Sequence, residues 1–278
     1  MCALALSFNT FENNLAFAIK NDRISSNNKA GKLVSQKLIP TYTPRTHKNF
    51  QYELLFYIPS TKNFQGLTFF DGYFYCGFDL GAGNGKIIKY DMSGKKICET
   101  TPMTIGHCAE LGYRTKTSKI YIANGGGNNL THIYVVDYTT STILKNLNYE
   151  SLGTSALLAI DNVHDYLILH TISRGTDIGN PTFTIINLAN MNVINTFNIT
   201  TQGVPQGLET DGKYIYLYTN NKITMLNYKG IIIATYHFNN PGESEGLTFA
   251  LEYGRSYLAM GYTSPNRIYI IRSMVFKE

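Results

Sequence analysis

Phe64-Gln65-Gly66-Leu67-Thr68-Phe69-Phe70-Asp71-Gly72-Tyr73-Phe74-Tyr75 decides the fold, because versions of it return to the end of the chain. With Leu67-Thr68-Phe69 as the mark, Leu111-Gly112-Tyr113, Leu158-Ala159-Ile160, Leu208-Glu209-Thr210 and Leu247-Thr248-Phe249 align with it. The residues just before the marks are Gly66, Glu110, Leu157, Gly207 and Gly246, separated by 44, 47, 50 and 39 positions. Repeats of about 40 to 50 residues, each carrying several short strands, are the signature of propeller blades.

Each unit has the same parts. After the marked strand comes a turn, Asp71-Gly72 or Asp211-Gly212, and Asp-Gly between apolar runs signals a hairpin. Aromatic strands follow at 73–78, 120–123, 166–170, 214–218 and 257–262. The third strands, such as Ile133-Tyr134-Val135-Val136 and Ile268-Tyr269-Ile270-Ile271, are the most regular. Four of them end in Asp91, Asp137, Asn187 or Asn227, whose side chains can bond the backbone two residues on. The fifth unit stops after its third strand, which would leave an open edge able to pair with other chains. The run Tyr52 to Ile58, upstream of the first unit, can fill that place. The expectation is an all-β, five-bladed β-propeller closed by an N-terminal strand, spanning residues 51–278, with 1–50 as a basic arm or linker. The alternative is an open or six-bladed ring in which 1–50 adds strands.

Composition agrees with a strand-rich core. Apolar residues make up 44% of 278, with Tyr 21, Phe 15 and Trp 0. The net charge of +5 sits at the start, since residues 1–50 hold seven of the 24 Lys and Arg against two of the 19 acids. A basic arm can meet nucleic acid or an anionic polymer, but the preferred reading is a solvated polar lead-in, and nucleic acid is not expected as a partner. Cys2, Cys76, Cys98 and Cys108 show no paired spacing, so neither zinc nor a disulfide framework is indicated. No secretory leader and no membrane-spanning helix are expected, which points to a cytoplasmic or virion-associated protein.

Function is expected where long polar links join second to third strands, at 79–85, 124–132 and 173–181. Asp79, Asn84, Asn128 and Arg174 stand on these loops. The same end of the ring receives the residues that precede each first strand: Asn63 and Gln65, His107, Ser155, Gln206, Glu243 and Glu245. Together they form a polar funnel, although propeller channels are also lined by polar side chains and water with no ligand. The Gly-rich links lack the phosphate-cradle pattern, and Asp79 with Asn84 lacks the calcium-loop pattern, so no cofactor or metal is expected. His107 and Glu110 look like a catalytic pair with Cys108 between them, but strand alternation would turn them to opposite faces. Glu209, Glu243 and Glu245 are candidates for an axial carboxylate cluster with general-base potential.

Two resemblances bear on function. Met103-Thr104-Ile105-Gly106-His107 and the preceding hairpin from Ile87 resemble the propeller of phage receptor-binding proteins and of teichoic-acid biosynthesis protein C. That implies a non-enzymatic module recognising a cell-surface glycan, anionic polymer or protein partner, with no catalytic residue. Phe64-Gln65-Gly66-Leu67 and Glu245-Gly246-Leu247-Thr248 resemble plant-type glutaminyl cyclase. In that family the first motif carries one more residue and the second lies in the second unit, not the fifth. This resemblance implies a substrate-site amide at Gln65 and a displaced acid/base counterpart at Glu245. That family builds its pocket with Trp, and this chain has none. The binding module is the reading carried forward, with the cyclase-like enzyme as its alternative.

Overall fold

Five sheets stand around a common axis, the strands of each repeat pairing antiparallel, and in each the first strand of the repeat is innermost. The computed structural model describes residues 44–47, 51–173 and 179–272. Blade 1 runs Asn63–Phe70, Tyr73–Gly81, Asn84–Tyr90 and Lys96–Glu99 from axis to rim. The inner strands of blades 2 to 5 are Glu110–Arg114, Thr154–Asp161, Pro205–Thr210 and Ser244–Glu252. Among the described residues helix is confined to the single 3-10 turn Glu150–Leu152, and no helix is long and apolar enough to cross a membrane.

Five apolar clusters hold the ring together, each lying between neighbouring blades. A sheet whose two faces are both covered needs apolar residues on both, which explains the near-continuous burial of Thr154–Asp161 and the central strands. The outer strands alternate or lie open to solvent, as at Thr142–Asn148. The expected turns form: the side chains of Asp91, Asp137, Asn187 and Asn227 accept from the amides of Ser93, Thr139, Ala189 and Lys229 at 2.8–3.0 Å.

Closure follows the expected route. Glu53–Tyr57 pairs antiparallel with Arg267–Ile271 and completes blade 5 from the start of the chain. Phe56 anchors it, buried and set edge-on to Phe74 at 5.6 Å and tilted to Tyr90 at 6.3 Å, both in blade 1. One further strand comes from the stretch expected to be arm. Arg45–His47 pairs parallel with the outer strand Ile232–His237 of blade 4, and His47 stacks on Tyr236 at 4.8 Å. Its three residues are too short and polar to register as a strand in the sequence.

One expected loop is not a loop. Tyr73–Gly81 and Asn84–Tyr90 stay paired through Gly81 and Asn84, so the link at 79–85 shrinks to Ala82-Gly83. Their φ of 50° and 74° suit a turn whose twist matches the strands it joins. Truncating Phe56 tests the closure: Phe56→Ala is expected to lower unfolding free energy by about 3–5 kcal/mol in urea titration, the usual cost of deleting a buried Phe.

Candidate functional site

The inner strands enter the ring at one end of the axis, here the near mouth, and leave at the far mouth. Four of the five carry an irregularity shortly after they begin, between Phe64 and Gly66, Thr154 and Leu157, Pro205 and Gly207, and Glu245 and Leu247. Such bulges re-aim side chains, and Gln65 and Gln206 sit on two of them. The result is a polar cavity of about 290 Å³ at the near mouth. Asn63, Gln65, His107, Ser155, Gln206, Glu243 and Glu245 all line it, together with Gly126 and Gly127.

The polar side chains are held in place by one another. Gln65 Nε2 donates to Glu245 Oε1 at 3.2 Å and to the Phe64 carbonyl at 2.9 Å. Gln206 Nε2 donates to Glu243 Oε1 at 3.2 Å. Burial pushes the Glu245 carboxyl well above the usual carboxylate range, aided by the charges of Glu243 and Glu110 and opposed by the Gln65 hydrogen bond. His107 Nδ1 lies 2.7 Å from Asp79 Oδ2. A carboxylate only accepts, so Nδ1 carries the hydrogen. Among the described residues no Lys or Arg lines this cavity.

The second-to-third-strand link of blade 2 supplies the near wall. Asn124 shapes it, accepting from His132 N at 2.9 Å and donating to the Leu130 carbonyl at 2.7 Å. At Gly125 the chain presses on the ring, where a Cβ would fall 2.0 Å from that of Ala109. Asn128 is exposed on the same loop, outside the cavity lining. Asn84 turns to Thr104, accepting its hydroxyl at 3.2 Å. Arg174 lies outside the described residues.

Glu110 is not a site residue of the expected kind. It is fully buried on the axis, where Oε1 accepts from Leu67 N and Leu111 N, each at 3.1 Å. Its Oε2 accepts from Leu208 N at 2.9 Å and Leu247 N at 3.3 Å. Burial pushes this carboxyl well above its ordinary range, while the amides of Leu67, Leu208 and Leu111 pull it down. Four donors leave a proton on either oxygen nothing to point at. Glu110 stands in the repeat where blades 1, 4 and 5 have Gly66, Gly207 and Gly246. A Cβ at Gly207 would sit 3.0 Å from Glu110 Oε2, and one at Gly66 2.9 Å from Glu110 Cα. A charged residue in a glycine position of the repeat was the available signal for this role.

The suspected triad also separates. The inner strand begins only at Glu110, so His107 belongs to the preceding loop and alternation does not govern it. Cys108 has φ of 58° and is buried, and burial pushes its thiol up. The axial carboxylate cluster is divided as well, since Glu243 and Glu245 line the near-mouth cavity while Glu209 lines a second cavity at the far mouth. Among the described residues no three His, Cys, Asp or Glu side chains gather as a metal site.

Neither a protein-family model nor a curated protein matches the chain. Solved structures with similar folds include Kuenenia stuttgartiensis hydrazine synthase, at 16% identity and a TM-score of 0.46, matched over 72% of this chain and 61% of that one. Regucalcin from Agrobacterium tumefaciens, a calcium-binding protein, is similar at 12% identity and a TM-score of 0.48, over 83% and 96%. The Dos1 propeller is similar at 12% and 0.44, over 76% and 60%. Identities this low say nothing about what this chain binds.

The thiols provide a check on the site's geometry. Alkylation of the native protein with N-ethylmaleimide at pH 8, followed by peptide mapping, is expected to modify exposed Cys98 and to spare buried Cys76 and Cys108 until denaturant is added.

Proposed function

We propose that this propeller is a binding module that recognises a neutral, hydroxyl-rich ligand, a glycan, at the near mouth of its axis. The observation that carries this reading is a polar cavity lined by three amides, Asn63, Gln65 and Gln206, and two acids, Glu243 and Glu245, with no Lys or Arg among the described residues of its lining. Planar amide and carboxylate groups match the paired hydroxyls of a sugar ring, accepting from one and donating to the next. An anionic polymer would meet Glu243 with no Lys or Arg among the described lining residues to offset it, so of the ligand classes open to the sequence the neutral glycan fits best. Asp79 contributes by fixing the His107 ring, while Asn84 opens a strand of blade 1 and Asn128 stands exposed on the blade 2 loop, where a longer ligand would be tested for contact. A resemblance to phage receptor-binding propellers points to the same class of partner.

Binding to a printed panel of neutral and anionic glycans tests this. Neutral glycans are expected to bind, and Gln206→Ala and Glu243→Gln, both at partly or fully exposed positions, to weaken them about tenfold or more. Retention of anionic polymers alone, or affinity indifferent to both substitutions, contradicts the proposal.

A second reading has its own support in Glu245, a carboxyl raised by burial and hydrogen-bonded to the Gln65 amide. Such a group can hold a proton under conditions where an ordinary carboxylate has lost it. Ammonia release from an N-terminal glutaminyl peptide, abolished by Glu245→Gln, would establish the cyclase-like enzyme over the binding module.

A further inference from the structure

The far mouth holds a cavity of about 510 Å³, larger than the near one and different in character. Every inner strand contributes to it at the same repeat positions. Phe69, Tyr113, Ile160 and Phe249 form much of its wall, and all but Ile160 are partly exposed there. At the neighbouring position blades 1, 2, 3 and 5 carry Thr68, Gly112, Ala159 and Thr248, whereas blade 4 carries Glu209. A carboxyl therefore interrupts a ring of small side chains at the floor of an apolar cup. Among the described residues no Lys or Arg lines the cup.

The other acids there are committed to the protein. Asp161 accepts from Tyr228 Oη at 2.7 Å and from the amides of Val163 and His164. Asp211 accepts from the amides of Lys213 and Tyr214 and, at 2.7 Å, from Tyr216 Oη. Glu209 accepts from the Thr210 amide at 2.8 Å and also from the Thr248 hydroxyl and the Phe249 amide, yet stays partly exposed. Burial, with a smaller contribution from the charge of Asp211, raises its carboxyl to about 7 against the pull of the Thr210, Thr248 and Phe249 hydrogen bonds. A counter-charge brought by a ligand would relieve that cost.

We propose that the far mouth is a second ligand site, taking a small organic ammonium whose hydrocarbon body lies against Phe69, Tyr113 and Phe249 and whose charged end meets Glu209. The volume falls within the range of small-molecule pockets, and a mostly apolar wall with one well-placed polar group is how such pockets gain both affinity and orientation. The cup is mostly apolar and has no base for an anion among its described lining residues, so the two ends of the axis discriminate different chemistries. The site stands independently of the glycan reading, being at the opposite end of the ring.

Calorimetric titration of the full chain with phenethylammonium and with its neutral counterpart 2-phenylethanol tests the site. The ammonium is expected to bind, and the alcohol to bind about tenfold more weakly or not at all. Glu209→Gln keeps an oxygen to accept from the Thr210 amide and removes the charge, and because Thr248 and Phe249 also donate to this carboxyl its thermal unfolding midpoint is measured alongside. Val163→Lys places a competing ammonium at the rim from a residue that is 73% exposed, so folding is not at stake. Each substitution is expected to weaken phenethylammonium about tenfold, with the thermal unfolding midpoint of Val163→Lys unchanged. Absence of binding at millimolar concentration, equal affinity for the alcohol, or affinity unaffected by either substitution would overturn the proposal.

Discussion

The innermost strand of every blade has one edge that pairs with nothing in its own sheet, and five such edges face each other across the axis. Their amides need acceptors, because a buried N–H without a partner costs on the order of 1–3 kcal/mol. Glu110 supplies them. Its two oxygens take the amides of Leu67, Leu111, Leu208 and Leu247, binding blades 1, 2, 4 and 5 to one point. The interaction requires Gly66, Gly207 and Gly246 around it, since a Cβ at any of them would intrude on the axis. One large acidic side chain and three absent ones form a single packing unit.

The residues that receive Glu110 are the residues that mark the repeat. Leu67, Leu111, Leu208 and Leu247 were aligned as a pattern of construction, and their side chains do pack between blades. Their backbone amides are what the axis requires in register. Blade 3, whose counterpart before Leu158 is Leu157 and not Gly, sends no amide to Glu110 among the described residues, and its bulge is the longest, spanning Thr154 to Leu157. The five-fold pattern is thus a four-fold hub with one blade packed against it through side chains.

Fold and closure were legible because they depend on patterns that recur: strand periodicity, Asp-Gly turns, Asx turns and a missing outer strand matched by an orphan one upstream. The members of the near-mouth cavity were legible for the same reason, as Gln65, Gln206 and Glu245 share a position in the repeat. What the sequence hid are features made by register. Nothing in Asp79 to Gly85 announces that the chain stays paired to Gly81 and Asn84, because glycine is equally at home in a loop and in a tight turn. The contact of His107 with Asp79 crosses from one blade to the next, and the far cavity is assembled from strand ends that looked like plain turns. Glu209 was noticed as an acid, yet its place at the mouth opposite Glu243 and Glu245 follows only from strand direction.

The hub can be measured directly through Glu110→Gln. If the carboxylate serves four amides, replacing one oxygen by an NH₂ group sets a donor against two N–H groups on the closed axis, and urea unfolding should show a loss of about 2–4 kcal/mol. Were Glu110 instead a neutral acid filling space, Gln would be a near-perfect substitute. A change below about 0.5 kcal/mol, the range of substitutions that touch nothing important, would contradict the account.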